Sequence, residues 1–288
     1  MPINAALHKK LISWAQERLL CGWSADDLIQ GMVKVGHSSE SAHKVAQEVF
    51  SDDEPDTIHS AGDALTANTS NFNSSPLANN IQLPGCKVSV LLTLSQPRVI
   101  LLSNLLSSSE CEALIEMSRP DLKRASVVDQ KTGKNRADQG RITSSKGFSP
   151  SQTPLISQIE ERIALLSGLP MSHQEGMQVL YYPVGGFYKP HHDYFDPALA
   201  GSANILNRGG QRVATIVIYL NDVEEGGGTA FPTLNLEAKA KQGNAVYFES
   251  VDENGQIDPK SLHASSPVIR GAKWIAVKWI RAEPWSNC

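Results

Sequence analysis

Residues 177–193 read Met177-Gln-Val-Leu-Tyr-Tyr-Pro-Val-Gly-Gly-Phe-Tyr-Lys-Pro-His-His-Asp193, and they point both to the type of fold and to the place to look for chemistry. Residues 177–182 are an apolar run of β type, Pro183 and the Gly185-Gly186 pair interrupt it, and the chain resumes toward His191 and Asp193. In an extended strand alternate side chains share a face, so His191 and Asp193 point one way and His192 the other. That is a two-ligand claw for a metal. Alone, a His-x-Asp is also how a paired surface histidine and aspartate look, so the surroundings have to decide.

Outward from this stretch, further β-type runs lie at 88–94, 99–102, 213–220, 245–248 and 274–279. Two helical stretches interrupt them: one starts at Ser108 or Ser109 and runs through Ile115, and the other spans 155–166, with apolar residues at 155, 156, 159, 163, 165 and 166. Many strands with a few helices near the start predict an α+β fold, an antiparallel sandwich or jelly roll buttressed by helices, over residues 84–288.

The remainder of the chain differs in composition. Residues 1–50 carry apolar positions at helical spacing (Leu7, Leu11, Trp14 and Ala15; Leu28, Ile29, Met32 and Val33; Ala42, Val45, Ala46 and Val49). Gly22 and Gly36 punctuate them, and Ser24 with Asp27 resembles a helix-start capping pair, so three short helices forming a small bundle are expected. Such a unit serves as a docking module or as a packing appendage. Residues 51–83 shift to Ser, Asn, Asp, Ala and Thr, too poor in large apolar groups to offset ordering entropy, and are expected to be a flexible linker.

A formal charge of -4 and a pI near 6.1 give no global attraction to nucleic acid or to an anionic membrane, and neither is expected as a partner. Cys21, Cys86, Cys111 and Cys288 are scattered, which suggests neither a zinc site nor a disulfide framework. The start of the chain, with His8, Lys9 and Lys10 before Leu11 and then Gln16, Glu17 and Arg18, is unlike a signal peptide, and no apolar run reaches the ~18 residues of a membrane span. A cytoplasmic protein is the expectation.

A third ligand must come from elsewhere, and His263 is the only other histidine of the β-rich part besides His173. Two imidazoles and one carboxylate on one face of a metal leave positions open, which suits non-haem Fe(II) rather than closed tetrahedral zinc. Lys273 strengthens this reading. It lies ten residues after His263 in an apolar strand, where an unpaired ammonium is costly, and no acidic residue lies between His263 and Arg281. Its partner is either a distant Asp or Glu or the carboxylate of a bound ligand. A keto diacid fits the second case, one end chelating iron and the other pairing with Lys273.

Tyr-Pro…Gly…Tyr-x-Pro-His-x-Asp, then Gln-Arg-Val-Ala-Thr…Tyr-Leu-Asn-Asp-Val…Glu-Glu-Gly-Gly-Gly-Thr…Phe-Pro, then Gly-Asn-Ala-Val-Tyr-Phe and Asp-Pro-Lys-Ser-Leu-His, in that order over residues 97–282, closely resemble the prolyl 4-hydroxylase catalytic domain. The resemblance implies a double-stranded β-helix that uses Fe(II), 2-oxoglutarate and O2, with L-ascorbate protecting the iron, to hydroxylate proline in a peptide or protein with release of succinate and CO2. It implies His191, Asp193 and His263 as iron ligands, Lys273 as partner of the distal 2-oxoglutarate carboxylate, and Tyr182, Tyr219 and Thr229 as pocket residues. Tyr219 also fits an ordinary core position, and Thr229 the end of a Gly-rich turn.

Around the proline the resemblance implies Tyr188, Arg212 and Trp279; an aromatic wall packs on a pyrrolidine ring and an arginine donates to a peptide carbonyl. Arg141 lies in residues 119–146, where eight basic residues face three acidic ones, a region that resembles a loop closing over the peptide, with Gly133 and Gly140 permitting motion. Two departures bear on the peptide: Arg281 stands where the family often has a second histidine, and residues 197–207 differ in composition from close relatives. The same chemistry on another residue or a small molecule, and a jelly-roll binding module without turnover, are the competing readings.

Overall fold

The computed structural model describes residues 11–12, 15, 25–34, 37–51, 77–128, 135–137 and 140–286. Two units contain them, Met1–Thr66 with Ser286–Cys288 and Ala67–Trp285. In the first, helices α1 (Ala25–Lys34) and α2 (Ser39–Ser51) bury Leu28, Met32, Ala42 and Val45 together with Leu11 and Ala15. Val33, expected on the apolar face, is 44% exposed, because it falls a helix position away from the Leu28–Met32 stripe. The expected cap at Ser24 and residues 52–76 of the expected linker lie outside the described residues.

The second unit contains β1 (Asn80–Leu83), β2 (Cys86–Ser95), β3 (Arg98–Ser103), α3 (Ser108–Ser118), β4 (Lys123–Arg124), β5 (Ser126–Val128), β6 (Asn135–Ala137), β7 (Ser144–Phe148), α4 (Pro154–Ser167) and β8 (Met177–Tyr182). It continues with β9 (Tyr188–His191), α5 (Ser202–Leu206), β10 (Arg212–Tyr219), β11 (Glu225–Gly226), β12 (Thr229–Phe231), β13 (Leu236–Ala238), β14 (Ala245–Glu249), β15 (His263–Ser265), β16 (Val268–Arg270) and β17 (Lys273–Arg281). Strand β1, placed by the sequence at the end of the linker, pairs along its length with β2 and buries Leu83, so sheet pairing overrides its polar composition.

Among the described residues, nine strands form one antiparallel sheet in the order β1-β2-β3-β14-β10-β17-β8-β7-β4, and four form a second in the order β13-β12-β15-β9. The period-two alternation of the large sheet divides the core in two. Ala214, Ile216 and Ile218 of β10 and Trp274, Ala276 and Ile280 of β17 pack with Cys111, Leu114, Ile156, Ile159 and Ile163 of the helices. Val217, Tyr219, Ile275 and Val277 point the other way, toward Phe231, Ala238 and Val268 of the smaller sheet side. This is the α+β jelly roll that the strand pattern predicts.

Local chemistry sets the helix ends. The Ser107 hydroxyl accepts from the Glu110 amide while the Glu110 carboxylate accepts from the Ser107 amide, a capping box one residue before the expected start. Thr153 caps α4, Pro154 fills its first turn, and Gly168 ends it at φ 72°. Glu110 also receives the Arg162 guanidinium at 2.8 Å, tying α3 to α4 behind the sheet. No described helix is long and apolar enough to cross a membrane.

Candidate active site

The turn after β8 delivers the claw. Gly185 adopts φ +76°, and at Gly186 a Cβ would sit 2.7 Å from the Pro183 carbonyl and 2.9 Å from the Tyr182 Cβ, so the tight reversal into β9 requires both glycines. Strand β9 then pairs antiparallel with β15 so that His191 lies directly across from His263. Cross-strand partners project to the same face, which brings the imidazole centroids to 4.3 Å. Asp193, on the same side two residues beyond His191, has Oδ1 3.7 Å from His191 Nε2 and Oδ2 3.7 Å from His263 Nε2. The three ligand atoms all lie within 4.8 Å of one another.

Each histidine is held with Nε2 inward. His191 Nδ1 donates to the Lys189 carbonyl at 2.9 Å and His263 Nδ1 to the Ser261 carbonyl at 3.0 Å, which leaves an Nε2 lone pair facing the centre. Tyr188 stacks on His191 at 3.6 Å, and Phe248 packs on His263 at 4.5 Å. Burial pushes the Asp193 carboxyl up, but the nearby His263, His191 and Arg212 together with the Thr215 hydroxyl hold it below the usual carboxylate range. Burial and His263 lower His191, which favours the neutral form that ligates. Two imidazoles and one carboxylate, oriented by their own hydrogen bonds, fit a divalent metal with vacant positions.

The claw opens on a cavity of about 500 Å³ lined by Arg141, Tyr182, Tyr188, His191, Asp193, Arg212, Thr229, His263, Ser265, Lys273 and Trp279, with Leu180, Val217, Ile275 and Val277 on its apolar wall. Lys273 pairs in register with Tyr182 of β8 and is 1% exposed. Its ammonium donates to Ser265 Oγ at 2.8 Å and points toward the Gly228 carbonyl at 3.5 Å; among the described residues no carboxylate lies within ion-pair distance. Burial therefore pushes Lys273 down to about 7, with Glu237 pulling weakly the other way. The distant Asp or Glu left open by the sequence is not in contact with it.

Of the expected residues, only Tyr219 stands back from the cavity. It is fully buried, and its hydroxyl donates to Thr229 Oγ1 at 2.7 Å, so Thr229 lines the wall and Tyr219 supports it from behind. Arg212 is clamped by Glu175 through Nε at 2.7 Å and Nη2 at 2.8 Å, and lies over Trp279 at 4.2 Å and Phe195 at 4.7 Å. Arg281 shares the Glu175 carboxylate at 3.1 Å. The indole N–H of Trp279 is buried with no acceptor among the described residues, a donor left for a ligand.

Sequence reasoning missed Thr215, which donates to Asp193 Oδ2 at 2.7 Å, and Ser265, the lysine's acceptor. Both were within reach of the period-two rule: Ser265 is two residues from His263, and Thr215 shares a face of β10 with Tyr219. Glu175, in the loop before β8, carried no such signal.

Residues 177–281 match the 2OG-Fe(II) oxygenase superfamily. The chain is 37% identical over 209 residues to probable prolyl 4-hydroxylase 10 of Arabidopsis thaliana, covering 66% of this chain and 71% of that protein. Prolyl 4-hydroxylase 1 of the same plant is 42% identical over 205 residues, covering 66% and 71%. The crystal structure of viral collagen prolyl hydroxylase vCPH from Paramecium Bursaria Chlorella virus-1, a 2OG complex, aligns with a TM-score of 0.50 and 28% identity over 64% of this chain and 95% of that one.

Proposed function

Because the chain belongs to the prolyl 4-hydroxylase family of Fe(II)- and 2-oxoglutarate-dependent oxygenases, we propose that His191, Asp193 and His263 hold the ferrous ion and that Lys273 receives the distal carboxylate of 2-oxoglutarate. The enzyme hydroxylates a peptidyl proline while 2-oxoglutarate and O2 become succinate and CO2. Bound at the claw, Fe(II) supplies the oxidative decarboxylation and the oxygen transfer.

The protein's own residues orient and exclude. Thr215 ties one oxygen of Asp193, leaving the other to the metal. The Lys273 ammonium, the Ser265 hydroxyl and the Thr229 hydroxyl converge as donors; since Thr229 Oγ1 already accepts from Tyr219, its own proton is free for the co-substrate. Tyr182 and the apolar wall keep that carboxylate dry, which strengthens each charge-assisted hydrogen bond. At the mouth, Tyr188 and Trp279 form aromatic walls for the pyrrolidine ring, and Arg212, fixed by Glu175, offers donors to the peptide backbone. Ascorbate is the proposed reductant that sustains repeated turnover.

The observation that carries this reading is the meeting of three ligand atoms within 4.8 Å beside a buried lysine that has no carboxylate partner among the described residues. The test incubates the enzyme with Fe(II), 2-oxoglutarate and proline-rich or cytosolic protein peptides, with and without ascorbate, and reads the products by mass spectrometry. Added oxygen on proline, absent in Asp193→Ala, supports it; oxygen added only to another residue type overturns the choice of substrate.

A further inference from the structure

Arg141 is the residue of the basic 119–146 stretch that the resemblance places near the peptide. It is 9% exposed, lines the same cavity as the metal claw, and lies with its guanidinium 4.7 Å over the Tyr188 ring, whose other neighbour is His191. It lies near the Tyr182 hydroxyl, as do Thr143 and Ser265, close enough to offset part of the burial that pushes that hydroxyl up. Its Nε is buried without an acceptor, and no carboxylate of the described residues forms an ion pair with it.

Lys273, Ser265, Tyr182 and Arg141 therefore form one polar cluster on the cavity wall, with Lys273 bonded to Ser265 and lying 5.2 Å from the Tyr182 ring, and with a basic side chain at each end. Its donors outnumber its acceptors. Lys273 and Arg141 can only donate, and the hydroxyls of Ser265 and Tyr182 each bring a further proton. Thr143 spends its own proton on the Tyr181 carbonyl at 2.7 Å and so relieves one of them at most. Buried donors in excess need an acceptor, and two basic side chains with no carboxylate partner among the described residues favour a ligand that brings negative charge. A carboxylate supplies both.

We propose that Arg141 is a second cation for the distal carboxylate of the co-substrate, acting alongside Lys273 at the wall formed by Tyr182. This rests on the proposed use of 2-oxoglutarate and adds to it a residue contributed by the basic 119–146 segment, beyond the lysine of the ten-residue His-Lys interval. Arg141 lies near the Tyr182 hydroxyl and over the Tyr188 ring, so the arginine itself is engaged by the co-substrate before the peptide arrives. The arginine also makes the pocket selective for a dicarboxylate over a keto acid that lacks the second carboxylate.

The experiment titrates 2-oxoglutarate, and separately 2-oxobutanoate, into Mn(II)-loaded enzyme without peptide and follows binding by calorimetry. Arg141→Gln is expected to weaken 2-oxoglutarate about tenfold, the value of one hydrogen bond to a charged group, and to leave 2-oxobutanoate within about twofold of the parent. Arg141→Lys keeps a charge without the planar fork and should recover part of the loss. Melting curves with Mn(II) alone identify a variant that has lost its fold; if Arg141→Gln is such a variant, an intermediate loss in folded Arg141→Lys carries the test. Unchanged 2-oxoglutarate affinity with a raised KM for the peptide overturns the proposal and returns Arg141 to the peptide. Equal loss for both keto acids also overturns it, because the distal carboxylate is then not what the arginine reads. A parent enzyme that binds neither keto acid instead sinks the 2-oxoglutarate reading itself.

Discussion

Lys273 shows most clearly how one residue joins fold to function. Burial holds its ammonium down to about 7, so below that pH the free protein carries an unpaired buried charge, and stability recovers as pH rises toward the lysine's ordinary range. A bound dicarboxylate needs the charged form and reverses this. Affinity for 2-oxoglutarate should therefore fall as pH rises above about 7, by up to about tenfold per unit, with proton uptake visible in calorimetry across buffers; a flat affinity up to about pH 9 would contradict the pairing. Lys273→Met should raise the melting temperature of the free protein while weakening 2-oxoglutarate by about 3–5 kcal/mol, since it leaves the ligand's carboxylate stranded. A variant that melts lower and binds normally would show that the lysine is structural. Thr215→Val removes the hydroxyl that fixes Asp193 and should cost about tenfold in Co(II) affinity with little change in stability. Thr215 escaped the sequence reading although its strand face was legible, because a hydroxyl on an apolar face gives no signal until its partner is known.

At the scale of elements, β17 is a partition. Lys273, Ile275, Val277 and Trp279 face the cavity, and Trp274, Ala276, Lys278 and Ile280 face the helices. Lys278 therefore serves the core: it pairs with Glu160 of α4 at 2.7 Å and also donates to the Glu175 carbonyl. Glu160→Ala leaves that ammonium buried and unpaired, and should cost about 3–5 kcal/mol in urea unfolding. Co-substrate affinity should stay near that of the parent, because Glu160 lies on the far side of the sheet; a large loss of affinity would mean that the two faces are coupled. Long strands such as β8, β10 and β17 were legible from their apolar runs. The short strands β12 and β15 were not, although β15 carries His263, because three residues show no periodicity and exist as strands only through their neighbours. Helix α3 runs on past the expected Ile115 to Ser118, where the Ser118 hydroxyl donates to the Leu114 carbonyl at 2.7 Å, a bond that polarity alone would read as an ending.

At the scale of the whole molecule, every residue assigned to the cavity lies within Ala67–Trp285, the unit with the two-sheet core. Removing residues 1–66 should leave 2-oxoglutarate affinity within about twofold, because every described residue that lines the cavity belongs to the other unit; a lost affinity would give residues 1–66 a part in the site. The claw was visible as His-x-Asp, but its completion by His263 depends on the pairing of β9 with β15, a contact across some seventy residues that no local pattern contains. The account as a whole comes down to one product. Enzyme, Fe(II), 2-oxoglutarate and a proline-containing peptide under labelled O2 should give a peptide heavier by one labelled oxygen on proline, with succinate formed in step and both products lost in Asp193→Ala. Succinate and labelled peptide still formed by Asp193→Ala, or formed by neither protein, would contradict the site described here.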